Sequence, residues 1–166
     1  LAVVGSTLWL WADDTADDVD GPVLIPVSIS TGEPGNSITI QNRPGLLNAG
    51  SEVAWDGAAF WFTSDGNVAQ AELYQVQRDG TVATTLSCPF SGIAECQGVA
   101  WDGSFLWTGE KNGTQVTRVN TVPGGVVPSP FSPWGSTTGT VDFLFAEETA
   151  DTSRALVVRN GLLYWL

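Results

Sequence analysis

The chain has 166 residues, of which 43% are hydrophobic and 14% charged, and its formal net charge is -12. This length allows one domain with a buried core, and the hydrophobic content excludes a disordered chain. Nucleic acid binding is excluded because it needs many cations, and the chain has only 6 lysines and arginines. Anionic membrane surfaces are disfavoured for the same reason. No apolar run approaches the ~20 residues of a membrane helix, so no membrane insertion is expected.

Short strand-forming runs between glycines and prolines predict an all-β protein. The chain begins with such runs on either side of Gly5. Four runs separated by turns then predict four strands, at 51–55, 58–64, 71–77 and 81–87. The next unit repeats this plan, with runs at 98–101, 104–110, 114–120 and 124–131. No segment has a sustained helical period with caps, so essentially no helix is expected.

A short motif, Gly-x-x-apolar-Trp, occurs four times along the chain. The copies are GSTLWL, GAAFWF, GSFLWT and GLLYWL, beginning at Gly5, Gly57, Gly103 and Gly161. A repeat of roughly 40–50 residues with several strands is typical of a β-propeller blade. We therefore predict one domain, 1–166, of about three four-stranded antiparallel blades and a partial fourth. The approximate blades are 1–50, 51–96, 97–152 and 153–166.

The repeats also resemble a known group of proteins. VAWDGAAFW begins at Val53 and VAWDGSFLW at Val99, and in the first of these units a third run follows and ends at an Asp79-Gly80 turn. This pattern is similar to blades of extracellular bacterial β-propellers, including NHL-like, lyase-like and glutaminyl-cyclotransferase-like sequences. The resemblance implies a propeller fold and an extracellular or cell-surface location. Because this motif marks a fold shared by many functions, no catalytic residue follows from it.

Tryptophan is the residue that the repeats place most regularly. A blade packs on its neighbours through both faces, so bulky side chains are needed there. We predict this core role for six residues, Trp9, Trp55, Trp61, Trp101, Trp107 and Trp165. Trp11 and Trp134 have no repeat position. They are candidate platforms for a sugar ring, and local packing is the alternative.

The densest acidic run is a candidate calcium site. It contains Asp13, Asp14, Asp17, Asp18 and Asp20. Calcium takes six to eight oxygen ligands, which carboxylates and carbonyls supply. The spacing does not match an EF-hand, and a solvated acidic loop is the alternative. We expect no required cofactor.

Two cysteines, Cys88 and Cys96, are predicted to form a disulfide that closes a small loop, worth about 2–3 kcal/mol. Free, half-buried thiols are the alternative. With no histidine in the chain, zinc is disfavoured and a Ser-His or Cys-His nucleophile lacks its base. Asp56 and Asp102 recur at the same repeat position, which favours a turn role over a catalytic pair.

The number of blades bears on function. About three blades would leave sheet faces and edges open at both ends of the arc, and such surfaces associate. Either the arc belongs to a longer chain, which we favour, or identical subunits assemble. We therefore expect a non-enzymatic structural or binding scaffold that packs against further blades or identical subunits. The alternatives are part of a propeller enzyme of lyase or cyclotransferase type, and a carbohydrate-binding propeller whose partner is a polysaccharide.

Overall fold

All regular secondary structure in the described part of the chain is β-strand. The computed structural model describes residues 1–12, 22–41, 52–63, 72–87, 96–110, 116–119, 156–159 and 162–165. Three antiparallel sheets of three or four strands, and one further hairpin, follow one another along these residues. The prediction of an all-β protein is confirmed for them. No helix among them is long and apolar enough to cross a membrane.

The first sheet is a meander of four antiparallel strands that pair in chain order. The strands are β1 (Ala2–Val4), β2 (Thr7–Ala12), β3 (Val23–Ser28) and β4 (Ile38–Thr39). Pro26 lies within β3, where a proline ordinarily breaks a ladder. Proline has no amide hydrogen to donate to a neighbouring strand. Pro26 is tolerated because β4 pairs only with Val23 and Leu24 and does not extend as far as Pro26. Beyond that point the Pro26 carbonyl accepts a hydrogen bond from the Gly35 amide at 2.7 Å.

The second sheet repeats the four-stranded meander. Its strands are β5 (Val53–Trp55), β6 (Phe60–Thr63), β7 (Glu72–Val76) and β8 (Val82–Ser87). Each lies within one of the four runs that the sequence predicts for this unit, so these four strands are confirmed. Consecutive apolar residues, such as Phe60, Trp61 and Phe62, point alternately to the two faces of the sheet, so each face carries buried apolar side chains.

The third sheet contains β9 (Cys96–Trp101), β10 (Leu106–Glu110) and β11 (Val116–Val119), with β10 in the middle. These strands correspond to the first three runs predicted for the unit. The fourth run, 124–131, lies outside the described residues. A last antiparallel hairpin consists of β12 (Leu156–Arg159) and β13 (Leu162–Trp165).

A tryptophan faces an alanine across the first hairpin of each of the first three sheets. The pairs are Ala2 with Trp9, Ala54 with Trp61, and Ala100 with Trp107. A small residue opposite a large one on the same face leaves room for the indole. We call these the Ala–Trp pairs, and the face that carries each one the Ala–Trp face.

The last hairpin has a different register. Trp165 occupies the repeat position in the sequence, but it lies opposite Leu156, and Arg159 pairs directly with Leu162. The connection is therefore two residues long, and Asn-Gly is the sequence that most favours such a hairpin. The pairing is shifted by two residues relative to the other three copies.

The second sheet is covered on both faces by its neighbours in the chain. One face packs on the Ala–Trp face of the first sheet, and its buried residues are Val53, Phe60, Phe62, Tyr74 and Val76. The other face carries Ala54 and Trp61 and packs on Val99 and Leu106 of the third sheet. The largest core side chains, including Trp61 with 0% exposure, lie between the sheets.

The first strands of successive sheets also lie next to one another. Strand β1 contacts β5, β5 contacts β9, and β9 contacts β12. At the other end of the first two sheets, the Gln41 amide donates to the Gly80 carbonyl at 2.8 Å. Contacts between the first two sheets therefore extend from their first strands to Gln41, two residues after β4.

Candidate functional site

The β5–β6 turn is closed by one carboxylate. Oδ1 of Asp56 accepts hydrogen bonds from the amides of Ala58 and Ala59, each at 2.7 Å. Oδ2 accepts from Trp61 Nε1 at 2.7 Å and from Gln75 Nε2 at 3.4 Å. The turn needs glycine next to Asp56 because Gly57 has a left-handed φ of 101°. The carboxylate thus fixes both the turn and the indole of the Ala–Trp pair.

The β9–β10 turn has the same construction. Oδ1 of Asp102 accepts from the amides of Ser104 and Phe105 at 2.8 and 2.7 Å. Oδ2 accepts from Trp107 Nε1 at 2.7 Å. Gly103 has a φ of 99°, as the sequence predicts for an Asp-Gly turn. We call residues 56–61 and 102–107 the carboxylate hairpins.

These hydrogen bonds determine the protonation of both carboxylates. Burial raises the pKa of Asp56, but the bonds from Ala59, Trp61, Ala58 and Gln75 outweigh it, and the pKa lies below its usual value. For Asp102, burial again raises the pKa, but the hydrogen bonds from the hairpin and the charge of Arg118 outweigh it, and the pKa lies below its usual value. Both groups are therefore ionised at neutral pH. Since each oxygen already accepts a hydrogen bond, the arrangement suits a structural carboxylate.

Arginines lie over aromatic rings beside both carboxylate hairpins. The guanidinium carbon of Arg118, on β11, lies 4.1 Å from the ring centre of Phe105. That of Arg78, just after β7, lies 4.6 Å from the ring centre of Trp55. Such contacts contribute about 0.5–1 kcal/mol when exposed. Arg118 thus ties the second carboxylate hairpin to β11, and Arg78 contacts Trp55 at the end of β5.

A carboxylate also joins the second sheet to the third. Strand β9 contains a bulge, at which the pairing with β10 shifts between Thr108 and Gly109. Gly98 has a φ of 77° there, and its carbonyl accepts from Thr108 Oγ1 at 2.9 Å. The amide of Val99 instead donates to Oε2 of Glu52 at 3.2 Å. We call this inter-sheet hydrogen bond the Glu52 joint.

Gly80 forms a second joint, between the first two sheets. Its φ is 89°, and a Cβ at this position would overlap the carbonyl oxygen of Thr39. The Gly80 carbonyl accepts the hydrogen bond from Gln41 described above. A glycine is therefore needed both for the turn and for the close approach of two backbones.

The predicted core tryptophans differ in burial. Trp9 and Trp61 are 9% and 0% exposed, whereas Trp55, Trp101 and Trp107 are partly buried. Trp165 lies on β13, and the burial of its side chain is outside what the structure describes.

The two candidate sugar platforms are not both described. Trp11 is partly buried, and its ring centre lies 4.5 Å from that of Phe62. Its Nε1 is buried and has no hydrogen-bond partner in the described part of the chain. This placement contributes to packing between the first two sheets. Trp134 lies outside the described residues.

The acidic run and one of the cysteines lie outside the described residues. Those positions are Asp13, Asp14, Asp17, Asp18, Asp20 and Cys88. Calcium binding therefore stays a prediction, and within the described ranges no three acidic, cysteine or histidine residues cluster as metal ligands. Cys96 is 2% exposed on β9. Its predicted bond to Cys88 also stays a prediction.

Sequence reasoning did not find either joint. Glu52 directly precedes an apolar run, but nothing in the sequence indicates that its partner is an amide on another sheet. Gly80 is predicted as a turn residue, and its role between sheets carries no separate sequence signal. Both contacts depend on how neighbouring sheets pack.

Comparisons with family models and with curated proteins supply no assignment for this chain. Neither comparison found a match. The basis for inferring function is therefore the geometry of the sheets, the carboxylate hairpins and the two joints.

Proposed function

We propose that the chain is a non-enzymatic scaffold in an extracellular or cell-surface protein, built as an arc of β-propeller. In this proposal the arc has about three four-stranded blades and a partial fourth, and it packs against further blades or identical subunits. The observation that carries the proposal is the second sheet, whose two faces are each covered by a different neighbouring sheet.

The neighbouring first strands support the same arrangement. A propeller sets its sheets around a central channel, which brings one edge strand of every blade close to the corresponding strand of the next. The contacts of β1 with β5, β5 with β9, and β9 with β12 fit that order. The Ala–Trp pairs fit it too, since a bulky residue recurs where two sheets meet.

The chemistry of the recurring carboxylates supports a scaffold over an enzyme. A general acid or base must reach a proton on its substrate. Both oxygens of Asp56 and of Asp102 instead accept hydrogen bonds from their own sheet. These groups stabilise turns, and the sequence has no histidine to act in their place.

The Glu52 joint provides the test of the stacked arrangement. Replacing Glu52 by alanine leaves the Val99 amide, whose residue is 2% exposed, without this acceptor. We expect the free energy of unfolding to fall by about 1–3 kcal/mol. Glu33→Ala is the matched control, because Glu33 is an exposed residue of the β3–β4 turn. Urea unfolding followed by tryptophan fluorescence measures both variants.

Equal stability of the two variants would mean that the second and third sheets do not pack through this joint, and the scaffold proposal would fail. An activity on glycan or peptide substrates would instead favour the propeller enzyme. That activity would have to disappear when one unrepeated carboxylate, such as Glu110, is replaced by its amide.

A further inference from the structure

Both carboxylate hairpins contain Asp-Gly, the aspartate dipeptide that isomerises most readily. The backbone nitrogen of the glycine can attack Cγ of the aspartate, because glycine has no side chain to hinder the approach. A bond forms between this nitrogen and Cγ, and the proton of the nitrogen leaves with the hydroxyl of the protonated carboxyl group as water. Water then opens the resulting cyclic imide at the backbone carbonyl of the aspartate. The product is an isoaspartate, whose backbone runs through Cγ and is one methylene longer.

Burial does not protect these two dipeptides from the reaction. Gly57 and Gly103 are both exposed, and so is Asp102. A Cβ added at either glycine would meet nothing within 4 Å, so no neighbouring group encloses the backbone at these turns. Water, which is the only co-reactant, can therefore reach both dipeptides. The protection of the folded chain has to come from hydrogen bonds.

Backbone hydrogen bonds close each turn from both ends. The amide of Asp56 donates to the carbonyl of Ala59 at 3.1 Å, and the amide of Ala59 donates back to Oδ1 of Asp56 at 2.7 Å. Asp102 and Phe105 make the same two bonds, at 3.1 and 2.7 Å. Ring closure expels one carboxyl oxygen as water, so it must break every hydrogen bond that this oxygen accepts.

The indole blocks the second route to the cyclic imide. If Oδ1 leaves, the bonds from the turn amides are lost. If Oδ2 leaves, the bond from the indole is lost, which is donated at 2.7 Å by Trp61 in one hairpin and by Trp107 in the other. The departing oxygen must also be protonated. The same hydrogen bonds favour the ionised carboxylate, since they lower the pKa of both aspartates.

We propose that Asp56-Gly57 and Asp102-Gly103 are latent isomerisation sites that the indole–carboxylate hydrogen bonds keep unreactive in the folded chain. The tryptophan of these two Ala–Trp pairs then protects the backbone chemically as well as packing between sheets. This inference goes beyond the proposed function and does not depend on how the blades are completed, because each hairpin lies within one sheet. An isoaspartate at either position would lengthen the turn and move its carboxylate away from the indole.

Trp107→Phe tests the indole bond, because it removes the donor to Asp102 and keeps an aromatic ring opposite Ala100. The folded chains are incubated at mildly acidic pH, and peptide mapping with electron-transfer fragmentation locates the isoaspartate. We expect the rate at Asp102 to rise at least about tenfold, which corresponds to the loss of one hydrogen bond to a charged group. The rate at Asp56 is the internal control and should not change.

Trp101→Phe is the matched control variant. It removes another partly buried indole from the same pair of strands, and this indole is not one of the donors to Asp102. We expect the isomerisation rate at Asp102 to stay that of the unmodified chain. A rise at Asp102 that Trp101→Phe shares would overturn the inference, because the protection would then come from overall stability.

The unmodified chain unfolded in urea gives the reactivity of both dipeptides without the fold. We expect Asp56 and Asp102 to isomerise there at least about tenfold faster than in the folded chain. Equal rates in the folded and unfolded chains would overturn the inference. An unchanged rate at Asp102 in Trp107→Phe would overturn it too, since the indole bond would then contribute nothing to the protection.

Discussion

The first hairpin and the two carboxylate hairpins place a tryptophan in the same register with different turns. In β1–β2, Val4 occupies the position of Asp56, pairs with Thr7 and packs against the core. In β5–β6, Asp56 accepts hydrogen bonds from two amides and from the indole. The Ala–Trp pair therefore does not require the carboxylate. The carboxylate of Asp56 adds a hydrogen bond that fixes the indole of Trp61. The contribution of this bond to the free energy of unfolding can be measured separately from that of the indole.

Removing the indole should give the largest effect. Trp61→Ala deletes a side chain with 0% exposure and should lower the free energy of unfolding by about 3–5 kcal/mol. Trp9→Ala is the comparison, because it deletes a buried indole from a hairpin that has no aspartate at the turn. We expect the smaller loss there. Chemical denaturation of both variants measures the difference, and a larger loss for Trp9→Ala would contradict the added role of Asp56.

Replacing Gly80, at the contact between the first two sheets, should lower the free energy of unfolding more than replacing Gly57 in a hairpin turn. Gly80→Ala strains a φ of 89° and drives a Cβ into the Thr39 carbonyl, which we expect to cost about 2–4 kcal/mol. Gly57→Ala strains a similar φ, but its Cβ would meet nothing within 4 Å. It should cost only about 1 kcal/mol. Thermal unfolding of the pair tests the joint, and equal losses would show that only the turn conformation matters.

Asp56→Asn removes the charge of the turn and replaces one accepting oxygen by an NH2 donor, so it also removes the acceptor for Trp61 Nε1 or for the turn amides. It should have the smallest effect, about 1–2 kcal/mol. Because the folded-state pKa of Asp56 is lowered, its contribution is fully present above the unfolded-state value of about 3.9. It is lost as the pH falls from there through the folded-state pKa.

Unfolding at several pH values compares the variant with the unmodified chain. The stability difference between them should shrink as the pH falls below about 4. A difference that stays constant with pH would rule out a role for the ionised carboxylate.

The sequence was most informative where a signal is local. The four strands of the second sheet and the left-handed glycines at Gly57, Gly80 and Gly103 follow from short runs and Asp-Gly turns. Strand β3 gave no such signal, because a proline has no amide hydrogen to donate and so argues against a strand. Pro26 fits within β3 only because it lies beyond the residues that pair with β4. The register of Trp165 was also not predicted, because the repeat position does not specify where the glycine lies within the turn: Gly5 directly follows the paired Val4, whereas Gly161 directly precedes the paired Leu162.

Contacts between sheets were the least predictable. The Glu52 joint pairs a side chain with an amide of β9, an edge strand that contains a bulge. No periodicity encodes that bulge. One face of the first sheet was equally hard to predict. Its residues are apolar in the sequence, but only the strand register shows that they share a face: Val3, Leu8, Leu10, Ile25 and Val27.

The way in which the first three sheets pack on one another also bears on how the number of repeats in such a protein can increase. The first sheet packs its Ala–Trp face on the second sheet, and the second packs its own on the third. Duplication of a unit such as the second sheet therefore produces a sheet that fits both kinds of neighbour. In arrays of this kind, stability is approximately a sum over units and the interfaces between them. A gene encoding this repeat can therefore lengthen by whole units without redesign of the existing interfaces, and selection can then act on the turns of the new unit independently.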